Sequence, residues 1–161
     1  MKNEIAKELL KNVEEFYQKY NKLDEETTTL IISENKWSLK QIVGHLIDST
    51  SNNHQRFIRF QIDKSLNFPD YNRDEWLNIV DYNKICFFEL VSLFKYFNIL
   101  ISKIIENIDE KSLGKKWEIN WSDSRKSITF SGLIEHYLAH IKEHFKHFED
   151  RLTEIKNGNC I

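Results

Sequence analysis

Histidine carries the strongest chemical signal in this sequence. Four of the six histidines fall close together near the C-terminal end of the chain, at His136, His140, His144 and His147. Residues four positions apart lie on one face of a helix, so His140 and His144 can direct both imidazole rings at one point. A catalytic zinc-type site needs three protein ligands and an open position, so this pair would supply two of the three.

The third ligand is expected from a separate helical segment. His45 lies in such a segment, and Asn52 and Arg56 follow it at helical spacing as a polar flank suited to lining a cavity. We therefore predict a metal site formed by His45, His140 and His144. Asn52 and Arg56 are candidate substrate-binding residues, and no residue is assigned as catalytic.

Each of these assignments has a structural alternative. Several histidines on one flank can form a solvated, weakly basic face, and His136 and His147 are expected to be such surface residues. A histidine at the border of an apolar stripe, as His45 is, more often serves packing than ligation. Asn52 and Arg56 can be ordinary surface or capping residues. The convergence of three histidines, two of them at chelating spacing, favours the metal site.

Three neutral imidazoles leave a divalent ion with its full charge and an open position. A thiol bound there would become a thiolate able to attack an electrophilic carbon, and a bound water would become a hydroxide able to attack a carbonyl or phosphoryl centre. Imidazole suits several metals, so zinc is expected, with nickel, iron and copper as alternatives. A low-molecular-weight thiol is the expected cosubstrate in the first case.

Composition narrows the class of protein. At 161 residues the chain suits one domain, residues 1–161, which can bury a core without a structural metal. The net charge is −2, which argues against nucleic acid or an anionic membrane as partner. With only four Gly and one Pro, the chain has little turn-forming residue, so we expect few, long elements.

Two cysteines are too few for a disulfide framework or a thiolate zinc site, so reduced thiols and a cytoplasmic location are expected. Cys86 lies in an apolar run and is expected in the core, while Cys160 is expected in a frayed tail, so neither is predicted to be a nucleophile. The first residues are typical of a helix and not of a signal peptide. Charged residues interrupt every long apolar stretch, so no membrane span is predicted.

Hydrophobic periodicity predicts four long helices and hence a four-helix bundle in an all-α fold. The second begins with a capping box of Ser38 and Gln41, and the fourth with Thr129 or Ser131 as cap and Gly158 past its end. A short turn is predicted at 74–79 after a connection at 65–72. A small hairpin is predicted between the last two helices, with strands at 116–120 and 126–130 around a turn at 121–125. The four helices are predicted at 2–20, 39–63, 82–108 and 131–156.

The third predicted helix is apolar on more than one face. A helix inside a monomeric bundle needs one apolar stripe, so the additional face indicates contact with another subunit. We therefore predict a homodimer. The alternative is that the first helix and the loops cover this face.

The stretches 36–61 (KWSLKQIVGHLIDSTSNNHQRFIRFQ) and 134–148 (IEHYLAHIKEHFKHF) resemble the DinB-like superfamily of four-helix metalloproteins. The segment GHLIDSxxNNHQRF is the specific part, whereas HxxxH alone is weak. The resemblance extends over nearly the whole chain. It implies an up-down-down-up helix order, frequent dimers and one divalent metal bound by His45, His140 and His144. Glu143 departs from the pattern, because close relatives often carry another histidine there.

The superfamily includes bacillithiol-dependent and mycothiol-dependent transferases and isomerases, together with proteins described as metal-dependent hydrolases. The resemblance therefore implies a metal-dependent thiol S-transferase acting on a small-molecule substrate. A metal-dependent hydrolase and a non-catalytic module that binds a metal or a small ligand remain as alternatives. A role in nucleic-acid binding is disfavoured, since the sequence contains no recognisable nucleic-acid-binding motif.

Overall fold

The computed structural model describes residues 1–62, 71–119 and 127–158. Within these residues the chain forms four long helices, two short ones and a two-stranded hairpin, so the predicted four-helix bundle is confirmed. The long helices are α1 (Lys2–Tyr20), α3 (Leu39–Ile62), α5 (Phe87–Glu106) and α6 (Phe130–Lys156), the short ones are α2 (Glu25–Thr29) and α4 (Arg73–Val80), and the strands are β1 (Lys116–Glu118) and β2 (Ser127–Thr129).

The four long helices are arranged so that each packs mainly against two others. Both α1 and α3 pack against α5 and α6, which places α1 diagonally opposite α3, and α5 diagonally opposite α6. Among the four long helices, α3 and α5 are therefore the only two that are consecutive in the chain and also neighbours in the bundle. The pair α3 and α6, which carries the histidines of interest, shares one seam of the bundle.

Aromatic side chains fill the centre of the bundle. Phe16 of α1 stacks on Phe145 with ring centroids 4.1 Å apart and meets Phe148 edge-on at 4.9 Å. The ring of Phe94, on α5, also lies near the Phe16 ring, with a centroid distance of 6.4 Å. Phe16 therefore joins three helices, and aromatic pairs in such edge-on and stacked geometries add to the stabilisation from burial.

The sequence signals at the ends of the helices correspond to hydrogen bonds. The Ser38 amide donates to Gln41 Oε1 at 2.9 Å, and the Gln41 amide donates to Ser38 Oγ at 3.1 Å, which completes the capping box of α3. Thr129 caps α6 by accepting a hydrogen bond from the Gly132 amide at 3.0 Å. Gly158 follows α6 with a φ of 72°, a left-handed conformation that favours glycine.

The predicted start of the third helix was wrong. Tyr82–Lys84 forms a separate 3₁₀ turn, and α5 begins only at Phe87. The cause is a tertiary contact, because Glu25 Oε1 accepts a hydrogen bond from the Phe87 amide at 2.8 Å and so caps the helix at this point. Cys86 is the N-cap residue and is exposed, so its expected place in the core was also wrong.

The helix that provides Glu25 was missed. The five-residue helix α2 is too short for hydrophobic periodicity to detect, and its sequence EETTT contains no apolar residue. Its cap was readable, since Asp24 accepts a hydrogen bond from the Thr27 amide at 2.7 Å.

The predicted hairpin is present, although its strands are shorter than expected. Strands β1 and β2 are antiparallel with Trp117 opposite Ile128, and Phe130 belongs to α6. Phe60 stacks on Trp117 at 3.4 Å and on Phe130 at 4.5 Å, so the hairpin closes one end of the α3–α6 seam. The predicted turn at 121–125, most of the connection at 65–72 and the tail containing Cys160 lie outside the described residues.

Helix α5 carries an outward apolar face. Phe88 is 53% exposed and Tyr96 is 65% exposed, and Leu93 and Leu100 lie exposed beside them. The additional face that the sequence indicated is thus not covered by α1 or by the described loops. The homodimer inferred from it stays a prediction.

None of the helices formed by the described residues has both the length and the apolar content needed to cross a membrane.

Candidate metal centre

The structure brings together three histidines from two helices. His45 on α3 and His140 and His144 on α6 each offer a ring nitrogen, and these nitrogens lie within 4.8 Å of one another. The ring centroids are 4.5 Å apart for His140 and His144 and 4.6 Å apart for His45 and His144. The predicted group of three, called the histidine trio below, is therefore formed as a cluster of side chains.

Local sequence explains why the trio converges. The capping box fixes the start of α3, and the apolar residues that follow bury the face of this helix next to His45, which is only 4% exposed. On α6, Tyr137, Ile141 and Phe148 form the buried stripe that turns His140 and His144 towards the seam with α3. Both α6 histidines are half-buried.

The trio fits a tetrahedral divalent ion. His45 Nδ1, His140 Nε2 and His144 Nδ1 are buried and have no hydrogen-bond partner among the described residues. Buried polar atoms are nearly always paired, so three orphaned nitrogens at one place are the pattern that a bound cation would satisfy. Two nitrogens on one zinc ion lie about 3.3 Å apart, so small side-chain rotations suffice for binding.

The electrostatics of the trio favour the neutral, metal-binding form of imidazole. Burial, helped by the neighbouring histidines and Arg73, lowers the pKa of His45 from 6.5 to about 3. Burial also lowers the pKa of His140 and of His144 to about 4. All three rings are therefore neutral at pH 7 and carry the lone pairs that a metal ion requires.

Trp37 forms one wall of the site, a role that the sequence analysis missed. Its ring lies 5.3 Å from that of His45 and nearly parallel to that of His144 at 6.5 Å. The Arg73 guanidinium lies over the Trp37 ring at 5.3 Å, and Arg151 donates a hydrogen bond to the Trp37 carbonyl. Trp37 precedes the helix, so no periodicity indicated where its side chain would point.

Two cavities reach the trio through different histidines. The first, called the α3 cavity, has a volume of about 320 Å³, and His45 and His140 are part of its wall. The second, called the Trp37 groove, has a volume of about 710 Å³ and reaches His144. Arg73 lines both. The other described residues of the α3 cavity are Ser49, Asn52, Asn53, Arg56, Tyr71, His136 and Tyr137.

The two candidate substrate-binding residues both lie in the wall of the α3 cavity. Asn52 is buried and its side-chain amide donates to the Asp48 carbonyl at 2.9 Å. Arg56 is 8% exposed. Because both are buried, neither is the ordinary surface residue of the alternative interpretation. Their role in substrate binding stays a prediction.

The remaining histidines differ in position. His147 is half-buried and lines the Trp37 groove, with its ring 5.9 Å from that of His144, so its expected surface position was wrong. His136 is exposed as expected, yet it also lines the α3 cavity, and its ring is nearly parallel to that of His140 at 6.4 Å. His54 lies beside Phe97 at 5.6 Å.

A carboxylate lies one helical turn beyond His45. Asp48 is buried and its Oδ1 accepts a hydrogen bond from the Tyr82 hydroxyl at 2.6 Å, while Oδ2 has no partner among the described residues. Burial raises the pKa of Asp48, and the bond from Tyr82 opposes this shift. Gly44 allows the Tyr82 ring to approach α3 this closely, because a Cβ at position 44 would lie 2.2 Å from the ring.

Comparisons with known proteins agree with this architecture. No family model matches the sequence, and no curated protein matches it. The fold is similar to that of YfiT from Bacillus subtilis, with a TM-score of 0.84 and 15% sequence identity over 96% of this chain and 87% of that one. YfiT is described as "a probable metal-dependent hydrolase with an unusual four-helix bundle topology". At this identity the likeness establishes the fold, which is the fold that the DinB-like resemblance implied.

Proposed function

We propose that the protein is a metal-dependent enzyme in which His45, His140 and His144 bind one divalent ion. Two observations support this proposal: each histidine offers a ring nitrogen within 4.8 Å of the other two, and each has a buried ring nitrogen with no hydrogen-bond partner among the described residues. Zinc is the first candidate, with nickel or iron as alternatives, because imidazole ligands accept all three. A bound ion would lower the pKa of a thiol or a water molecule at its open position.

The reaction proposed first is thiol-dependent S-transfer to a small electrophilic substrate. The two cavities support it, since a reaction between two substrates needs two spaces that meet at the reacting atoms. In such a transfer the thiol releases its proton to solvent, its sulfur forms a bond to an electrophilic carbon, and the leaving group takes the bonding electron pair. An alkyl halide releases halide, and the ring oxygen of an epoxide stays attached and takes up a proton. The trio would hold the ion, and Trp37 would exclude water from one side.

Hydrolysis is the second candidate reaction. It is favoured by the description of YfiT, whose fold this chain shares, and a water molecule would then replace the thiol. The same residues would serve, but one substrate would occupy the cavities. A module that binds a metal without turnover is the third alternative.

One set of measurements separates these alternatives. Zinc-loaded protein would be mixed with a panel of biological thiols and an epoxide or alkyl halide, and thioether formation would be followed by mass spectrometry. Ester, amide and phosphoester cleavage would be measured without thiol. We expect thioether formation with at least one thiol, and its loss in His45→Ala and His144→Ala.

The matched control is His54→Ala, since His54 lies on α3 outside both cavities. It should retain both metal and activity. Cleavage without thiol would support the hydrolase instead, and stoichiometric metal with no turnover would support the binding module. Equal metal content in the wild-type protein and in both trio variants would contradict the metal site itself.

The exposed apolar face of α5 supports a further proposal. Phe88, Leu93, Tyr96 and Leu100 would form the contact between two copies of the chain in a homodimer. Sedimentation should then give twice the chain mass, and Leu93→Lys with Tyr96→Lys should give the monomer.

A cytoplasmic location, where free thiols are kept reduced, fits the thiol-dependent reaction.

A further inference from the structure

We propose that the α3 cavity binds the anionic end of the substrate, a carboxylate or phosphate group, between Arg56 and Arg73. This inference rests on the proposed function, and it names the substrate class for that site. Both arginines line the cavity, and the histidine trio forms its inner end through His45 and His140. An anion held there would place the rest of a small molecule beside the metal position.

The charge of the cavity wall carries the argument. Among the described residues that line it there are two arginines but no aspartate or glutamate, and His45 and His140 in the same wall are neutral. The whole chain has a net charge of −2, so the positive charge of this wall is opposite in sign to that of the molecule as a whole. A concave, low-dielectric surface lined by one sign of charge concentrates the field and attracts ligands of the opposite sign.

The Trp37 groove differs in this respect. Its lining includes Glu34, Asp74 and Glu143 together with Lys36 and Arg151, so positive and negative groups are mixed. Such a surface has no strong preference for an anion. The contrast assigns the anionic group to the α3 cavity and leaves the groove to the second, less charged reactant.

Arg56 has the burial expected of a binding group. It lies on α3 at 8% exposure, and a buried charge is costly unless an opposite charge or several hydrogen bonds satisfy it. A guanidinium has more N–H donors than one interaction uses, so Arg56 can be anchored by the protein and still bind a ligand in the cavity.

Arg73 approaches the cavity from α4 and also lines the Trp37 groove. Its guanidinium lies 5.3 Å above the Trp37 ring. A cation–π contact is an electrostatic attraction to the ring, so the guanidinium still has N–H donors for bidentate binding of a carboxylate or phosphate. Its charge also lowers the pKa of His45 and His144, which reflects its closeness to the trio.

The size of the cavity limits the ligand. A volume of about 320 Å³ corresponds to roughly ten molecules of liquid water, since each occupies about 30 Å³. This space suits a small organic acid or a phosphate ester and excludes a polymer. Asn52 and Ser49 in the same wall offer neutral polar groups to the remainder of the molecule.

Calorimetric titration tests the proposal with two probes, inorganic phosphate and succinate, and with neutral succinamide as the control ligand. Both metal-free and zinc-loaded proteins are titrated, because an anion that binds only to the metal would require zinc. We expect at least one anion to bind metal-free protein, and succinamide to bind at least tenfold more weakly. The better anion identifies the substrate group as phosphate or carboxylate.

Arg56→Met and Arg73→Met should each weaken binding about tenfold, and Arg59→Met, an exposed position on the same helix, should not. Metal content is measured for each variant and should be unchanged, so that failure of the metal site and failure of the anion site are separate results. If Arg56→Met does not fold, Arg56→Lys and Arg73→Met replace it. Anion binding that needs zinc, or that is insensitive to both arginines, or no binding of either anion, would overturn the proposal.

Discussion

The Tyr82 hydroxyl donates a 2.6 Å hydrogen bond to the buried carboxylate of Asp48, one turn of α3 beyond His45. Tyr82 belongs to the 3₁₀ turn before α5, so this bond ties the start of α5 to the part of α3 that carries the metal candidate. The contact depends on Gly44, because glycine is the only residue type without a Cβ and so leaves room for the Tyr82 ring. Two predictions follow from this arrangement.

Gly44→Ala should destabilise the protein by about 1–3 kcal/mol, because the new Cβ would lie 2.2 Å from the Tyr82 ring and force it away. Urea unfolding measures the change. Gly114→Ala is the matched control, since nothing lies within 4 Å of a Cβ there, and it should change stability by less than about 0.5 kcal/mol. Equal effects of the two substitutions would contradict the close approach.

Tyr82→Phe should cost about 1–3 kcal/mol, because it leaves the buried Asp48 carboxylate without its donor. The bond from Tyr82 lowers the pKa of Asp48, so its removal should raise that pKa further. The loss of stability should therefore be larger at pH 7 than at pH 4, because the hydrogen bond stabilises the charged carboxylate and a fall in pH favours the protonated form. Unfolding curves at the two pH values, with Tyr96→Phe on the exposed face of α5 as control, measure this. A loss that is independent of pH would be evidence against the buried carboxylate.

The metal-free protein should lose stability as the pH falls from about 6.5 to about 4. The pKa of His45 is lowered to about 3 and those of His140 and His144 to about 4, so the unfolded chain binds protons in this range that the folded protein does not. Stability is full above pH 6.5, and each histidine contributes a slope of up to about 1.4 kcal/mol per pH unit below it. His45→Gln should reduce this slope, and an unchanged slope in that variant would contradict the burial of the His45 ring.

Binding of a paramagnetic ion should quench the fluorescence of Trp37. Its ring lies 5.3 Å from His45 and 6.5 Å from His144, so Ni²⁺ or Co²⁺ at the trio would be close to the indole. Titration of metal-free protein should give saturable quenching that added zinc reverses. The quenching should disappear in Trp37→Phe and persist in Trp76→Phe, because Trp76 lines neither the α3 cavity nor the Trp37 groove. Quenching of equal size in both variants would exclude this site.

Sequence periodicity was sufficient to predict which faces of α3 and α6 carry the histidines of the trio. His140 and His144 share a helical face, and the buried stripe of α6 determines which way that face points. His45 follows a capping box whose two hydrogen bonds are formed as the sequence indicated. Local rules decide these positions, because each depends only on residues within the same helix.

Tertiary contacts decide the features that were missed. Trp37 and Arg73 lie at the beginnings of helices, and the packing of α4 against α3 brings Arg73 over the Trp37 ring. The start of α5 lies later in the chain than predicted because Glu25, far away in sequence, accepts a hydrogen bond from the Phe87 amide. His147 is half-buried because it faces the groove beside Trp37 rather than solvent. No pattern within one helix contains this information.

The diagonal placement of α5 and α6 has a consequence for the kinetics of an assembly. None of the described residues that line the α3 cavity or the Trp37 groove comes from α5. A second copy docked on the outward face of α5 would contribute no residue to the reaction centre of the first and would leave its openings accessible. Each subunit would then turn over on its own, and substrate saturation would follow a simple hyperbola without cooperativity between subunits.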